Sequence, residues 1–252
     1  MAATQAVRAT GTAPRVGLRH FVDRYFYLFM SVLVAAVVVI GFSRTIGSGL
    51  LHPAVKPPVL LWVHGAVFFA WVGLFVLQSA LVRVRSIRLH KTLGWYIAAF
   101  GALIPILGIA ITRLMSGFEV NSLHFDPNER AAFLPIPFLD MVVFTIVFGL
   151  AILWRKRPEY HRRLILVAAC GLTAAAWGRL PFYVPHLAFY YGVDALLLLG
   201  ILRDLFVIRR IHPVYAWSIP TIVMLQLAAV RLMEHRPEWW LRLGRAFIGQ
   251  PG

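Results

Sequence analysis

Nine histidines and ten carboxylates are spread through this chain, and several stand inside strongly apolar runs. Ionisable groups in such surroundings face a cavity or a partner, so their spacing carries information. His186, Tyr190 and Asp194 are spaced i, i+4, i+8. On a helix they share one face and descend about 12 Å. By the same count His64 lies about 8 Å, and Asp140 about 6 Å, into its own run. Arg179 stands near the end of another run, within reach of either aspartate. These groups predict a polar pocket opening to the outer side. His64, His186 and Asp140 would offer imidazole and carboxylate donors suited to zinc, iron or copper. The same groups would serve a proton or substrate path. The structural alternative pairs Arg179 with Asp140 or Asp194 and leaves the histidines hydrogen-bonded between helices. No two of them have HExxH spacing.

A second group lies on the opposite side. His90 and His161 each open an apolar run, at matching depth. Two imidazoles from different helices at one depth suit the axial positions of a b-type haem. With His64 and His186 as a second pair, a two-haem electron path across the membrane is conceivable. The alternative for His90 and His161 is contact with lipid headgroups, because Lys91 and Arg162 adjoin them. GxSxG, Walker A, Rossmann glycine and CxxCH patterns are all missing, which weighs against hydrolase, nucleotide-driven and c-type cytochrome chemistry.

The elements that position these groups are read from hydropathy. The chain is 252 residues long, 60% hydrophobic and 14% charged. Soluble domains hold about 45–50% apolar and about 25% charged residues; lipid can cover the excess. Seven runs approach the roughly 20 residues that a spanning helix needs: 25–43, 59–82, 93–114, 136–154, 164–183, 187–207 and 214–233. They are too continuously apolar for barrel strands. The expected fold class is therefore all-α: an integral membrane bundle of about seven helices at 25–233. A flexible cytoplasmic tail at 1–24 precedes it, and an interfacial amphipathic tail at 234–252 follows it. The N-terminal stretch lacks the pattern of a cleaved signal peptide. Pro105 and Pro220 are expected to kink their helices. The longest outer loop is expected at 115–135.

The net charge of +15 does not point to nucleic acid, because the basic residues cluster between apolar runs. With the N-terminus inside, inner segments hold 16 Lys and Arg and outer segments 5. That asymmetry orients the chain with a cytoplasmic N-terminus and an outer C-terminus. The basic stretch after helix seven, with Trp239 and Trp240, runs against the trend and reads as an interfacial helix. The lone Cys170 forms no intrachain disulfide. A weak internal echo links Leu89-His90-Lys91-Thr92-Leu93 with Tyr160-His161-Arg162-Arg163-Leu164.

The stretches Arg88-Leu89-His90-Lys91-Thr92-Leu93-Gly94-Trp95-Tyr96 and Arg157-Pro158-Glu159-Tyr160-His161-Arg162-Arg163-Leu164 resemble the HRxLG and HRR-hydrophobic signatures of poorly characterised bacterial multi-pass membrane proteins. His64-Gly65 and Phe75-Val76-Leu77-Gln78 fit the same pattern. Lys91 stands where that pattern has arginine. A looser similarity links the chain to transmembrane b-type cytochromes, although no helix carries two histidines at opposite depths. The resemblance implies a helical fold in a bacterial inner membrane with histidines at helix starts. Three functional expectations follow. The first is a histidine-containing site for haem b or a transition metal, serving electron transport. The second is a transporter or proton-conducting protein. The third is a structural or assembly subunit with partner subunits in a membrane complex.

Overall fold

The computed structural model describes residues 17–180 and 188–251. It contains no strand among the described residues. The helices are α1 (Leu18–Ser43), α2 (Val59–Arg83), α3 (Ile87–Leu123), α4 (Pro127–Phe133), α5 (Pro135–Leu153), α6 (Pro158–Gly171), α7 (Ala174–Trp177), α8 (Ala188–Val207), α9 (Pro213–His235) and α10 (Glu238–Ile248), with a π-helical turn at Gly47–Leu51. Proline opens α4, α5, α6 and α9. Its fixed φ suits the first helical position, and its missing N–H is not needed there. Asp126 caps α4, its carboxylate accepting from the Asn128 N–H at 2.8 Å. His212 caps α9, its Nδ1 accepting from the Val214 N–H at 3.2 Å.

Five stretches are long and apolar enough to cross a membrane: α1, α2, α3, the nearly continuous α4–α5 and α9. The remaining two of the seven expected runs differ for a physical reason. The run expected at 164–183 divides between α6 and the single turn of α7, with a break at Leu172 and Thr173. The run in α8 carries Asp194, Arg203 and Asp204. Exposed apolar side chains such as Val59, Ile106 and Met224 present the surface that lipid covers.

The outer loop expected at 115–135 is largely helical instead. α3 runs on to Leu123, and α4 begins at Pro127. At 1.5 Å per residue the 37 residues of α3 reach about 55 Å, well beyond a hydrocarbon core of about 30 Å. Both α3 and α9 continue through their internal prolines.

Successive rods run in opposite directions. At one end the start of α1 meets the end of α2 through Tyr25 and Arg83. There too the start of α6 meets the end of α8 through Arg163 and Asp204. At the other end Arg179 donates to Thr45, and Tyr190 at the start of α8 donates to Asp140 near the start of α5. The core between them is largely apolar. Trp71 packs edge-on against Phe144 and Phe148, with centroids 5.4 and 5.2 Å away. Gly41 lies against the backbone of Ala176, so closely that a Cβ there would collide with it. Such small-residue approaches are how helices pack where the hydrophobic effect cannot drive them together.

The C-terminal segment is a docked cap. Trp240 Nε1 donates to the Ala131 carbonyl at 3.0 Å, and Arg245 donates to Asn128 Oδ1 at 2.6 Å. Arg113 donates to the Phe247 carbonyl at 2.8 Å. Arg236 pairs with Glu129, and Arg242 and Arg245 pair with Glu238. The basic residues that ran against the charge asymmetry thus stand beside acidic partners on the same cap. Trp239 and Leu243 of α10 stay exposed.

Candidate functional site

His90 and His161 are each the fourth residue of a helix. Each of those helices follows a short basic turn, three residues after α2 and four after α5. This shared placement brings the two imidazoles together, with ring centroids 6.4 Å apart and planes inclined at 74°. His161 Nδ1 lies 2.9 Å from the Ala151 carbonyl oxygen. A carbonyl only accepts, so Nδ1 carries the proton and Nε2 keeps its lone pair free. A backbone carbonyl on the distal nitrogen is the support that metal-bound histidines commonly have. His90 lies against the backbone of Gln78, and its Nδ1 has no hydrogen-bond partner. Both amide atoms of the Gln78 side chain are buried and unpartnered too.

Two imidazole nitrogens sharing one metal at about 2 Å each set their ring centroids about 6 Å apart. The observed separation fits that requirement. No group of three or more His, Cys, Asp or Glu is gathered for a metal among the described residues. Two imidazoles are fewer than the three or four protein ligands that zinc takes. A shallow depression of about 390 Å³ lies nearby, lined by Lys91, Thr92, Trp95 and Tyr96, and includes neither histidine.

The outer group is only partly assembled. Tyr190 donates to Asp140 Oδ1 at 3.3 Å. Both line a slot of about 20 Å³, together with Gly171 and Gln226, room for a water and far below the roughly 300–1,000 Å³ of drug-sized ligand sites. Asp194, one turn along α8 from Tyr190, keeps one buried oxygen unpartnered. His64 stacks on Phe68 with centroids 4.1 Å apart, and its Nδ1 is unpartnered. Arg179 is engaged elsewhere, with Thr45 at 3.1 Å, the Ala175 carbonyl at 2.6 Å and the face of Phe42 at 4.2 Å. Its pairing with either aspartate is not among these contacts. His186 lies outside the described residues, and with it the expected His64–His186 pair.

The chain matches no family model, curated protein or solved structure. Chemistry must therefore be argued from its own residues.

The most polar feature of the interior escaped the sequence reading. Arg163 and Asp204, both fully buried, form a bidentate pair at 2.9 and 2.6 Å. Arg203 donates to Asp204 at 2.6 Å and also pairs with Asp23. Glu159 accepts from Arg162 and Arg163 at 2.6 Å each. Three cations and three anions thus tie α1, α6 and α8 together at the end that holds His90 and His161. Burial raises the Glu159 carboxyl, but its bonds to Arg163 and Arg162 outweigh that and hold it below the usual range. In the sequence Arg163 and Arg203 looked like flanking loop charges. The available signal was Asp204, a carboxylate inside the last turn of an apolar run.

Proposed function

We propose that this chain is a multi-pass protein of a bacterial inner membrane that holds haem b or a transition metal between His90 and His161 for electron transfer. Five apolar helices support contact with a lipid bilayer. The broken α6–α7 rod and α8 complete seven crossings in this reading, because Arg163, Arg203 and Asp204 are buried in the bundle rather than facing lipid. The N-terminus is then cytoplasmic, the C-terminal cap lies outside, and the histidine pair sits at the cytoplasmic end.

The observation that carries the proposal is the 6.4 Å approach of two imidazoles, one anchored through Nδ1 by the Ala151 carbonyl. Nε2 of His161 is available as a ligand, and the carbonyl fixes the ring's tautomer and direction. His90 supplies the second imidazole from the facing helix. When bound, haem would supply one-electron chemistry at a potential tuned by its axial ligands and burial. The nearby resemblance to membrane proteins with histidines at helix starts supports the same reading. The outer slot favours a second reading, a transporter or proton-conducting protein, because it places the Asp140 carboxylate beside Tyr190 and Gln226.

Purification in detergent, followed by an absorbance spectrum and elemental analysis, tests the first reading. One Soret-absorbing group or one metal per chain is expected, lost in His161→Ala and in His90→Ala. A colourless, metal-free protein from cells supplied with haem and metals would overturn it.

A further inference from the structure

The interior of α6, α8 and α9 carries a polar column that neither the histidine pair nor the outer slot accounts for. On α9, Tyr215, Ser218 and Gln226 are all buried and share one face at i, i+3 and i+11. Over 11 residues they rise about 16 Å. On α8, Tyr190, Asp194 and Asp204 share the inward face at i, i+4 and i+14. The two stripes meet at both ends. At the outer end Gln226 lines the slot with Asp140 and Tyr190. At the inner end the Tyr215 ring lies 5.9 Å from the Arg163 guanidinium, which holds Asp204.

Between these ends two hydroxyls stand without partners. The Tyr215 hydroxyl is buried and makes no hydrogen bond, and neither does the fully buried Ser218 Oγ. The Tyr215 hydroxyl lies over Gly200 of α8, where a Cβ would stand only 2.6 Å from it. A buried hydroxyl with no protein partner is a place for water or for a transient donor. The two stand one turn apart on α9, between the slot at Gln226 and the Arg163–Asp204 cluster, with about 12 Å of helix from Ser218 to Gln226 that water would have to bridge. Chains of carboxyls and hydroxyls inside a membrane bundle are characteristic of proton relays.

We propose that α6, α8 and α9 enclose a proton path that runs from Asp140 and Asp194 through Ser218 and Tyr215 to Asp204. Each hydroxyl oxygen accepts a proton from one side and releases its own to the other. Asp140 and Asp194 take up a proton and pass it on, and Asp204, ion-paired with Arg163 and Arg203, is the acceptor at the inner end. One proton crosses per passage, with no other reactant and no net change in the chain. Tyr27 of α1 and Cys170 of α6 face Tyr215, together with the Asp204 carboxylate and the Arg163 guanidinium, and His212 lies near the same pair. At the inner end, Asp23 and Glu159 sit on the same arginines as Asp204 and reach the surface.

The test uses the full chain in phospholipid liposomes containing a pH-sensitive dye, with a potassium gradient and valinomycin setting an inside-negative voltage. Wild-type protein is expected to acidify the lumen faster than protein-free liposomes. Ser218→Ala, which removes one buried oxygen, and Asp194→Asn should return the rate to the protein-free level, whereas Ser218→Thr should keep it. Variants are compared only where elution and thermal melting in detergent match the wild type. A wild-type rate equal to that of protein-free liposomes would overturn the proposal. So would unchanged flux in both Ser218→Ala and Asp194→Asn, or a flux that follows a sodium gradient without moving pH.

Discussion

At the scale of single residues, His212 gives the clearest link between protonation and structure. Its Nδ1 accepts the Val214 N–H and so caps α9, which requires that nitrogen to be unprotonated. Burial, then the nearby Arg163 guanidinium, holds its pKa below the ordinary value of 6.5. A folded-state pKa lowered in this way means that the unfolded chain binds the extra proton first. The stabilisation is therefore complete above the ordinary histidine value and is lost as pH falls through the lower folded value. Melting temperature in detergent is expected to fall as pH drops below about 6.5. His212→Asn, which caps without titrating, should flatten that dependence; an unchanged slope would show that another group carries it. The sequence made His90 and His161 legible as a pair because depth follows from helix starts alone. It left Asp204 unread because its partner Arg163 is 41 positions away, and no local pattern reports so distant a contact.

Among the elements, α2, α5 and α9 were readable from hydropathy nearly to their ends, whereas α1 begins at Leu18, within the stretch expected as a flexible tail, and α3 was not readable to its ends. The continuation of α3 through Glu119 to Leu123 lies past the apolar run, where packing beneath α10, rather than lipid, supports it. The break between α6 and α7 was equally hidden, since no proline or glycine pair marks Leu172 and Thr173. The buried pair of Arg163 and Asp204 bridges α6 and α8. Removing one member of such a pair strands a charge and costs about 3–5 kcal/mol, while replacing both with apolar groups is often close to neutral. Asp204→Asn is therefore expected to lower the melting temperature sharply. Arg163→Met together with Asp204→Leu should recover part of the loss. A double variant no more stable than the single one would mean that the charges, and not the packing of α6 on α8, set the stability.

For the molecule as a whole, the account rests on seven alternating crossings. A chain with only the five most apolar helices in the bilayer would keep the turn after α7 on the cytoplasmic side, whereas seven crossings carry it outside. Gly178 is exposed in that turn, and a Cβ there meets nothing closer than 3.6 Å. In a Cys170→Ala background, single cysteines at Gly178, Asn128, Ser86 and Lys156 can be labelled in intact cells with a membrane-impermeant maleimide. Labelling at Gly178→Cys and Asn128→Cys, with protection at Ser86→Cys and Lys156→Cys until the cells are opened, is the predicted result. Protection at Gly178→Cys, or labelling at Ser86→Cys or Lys156→Cys in intact cells, would contradict the account.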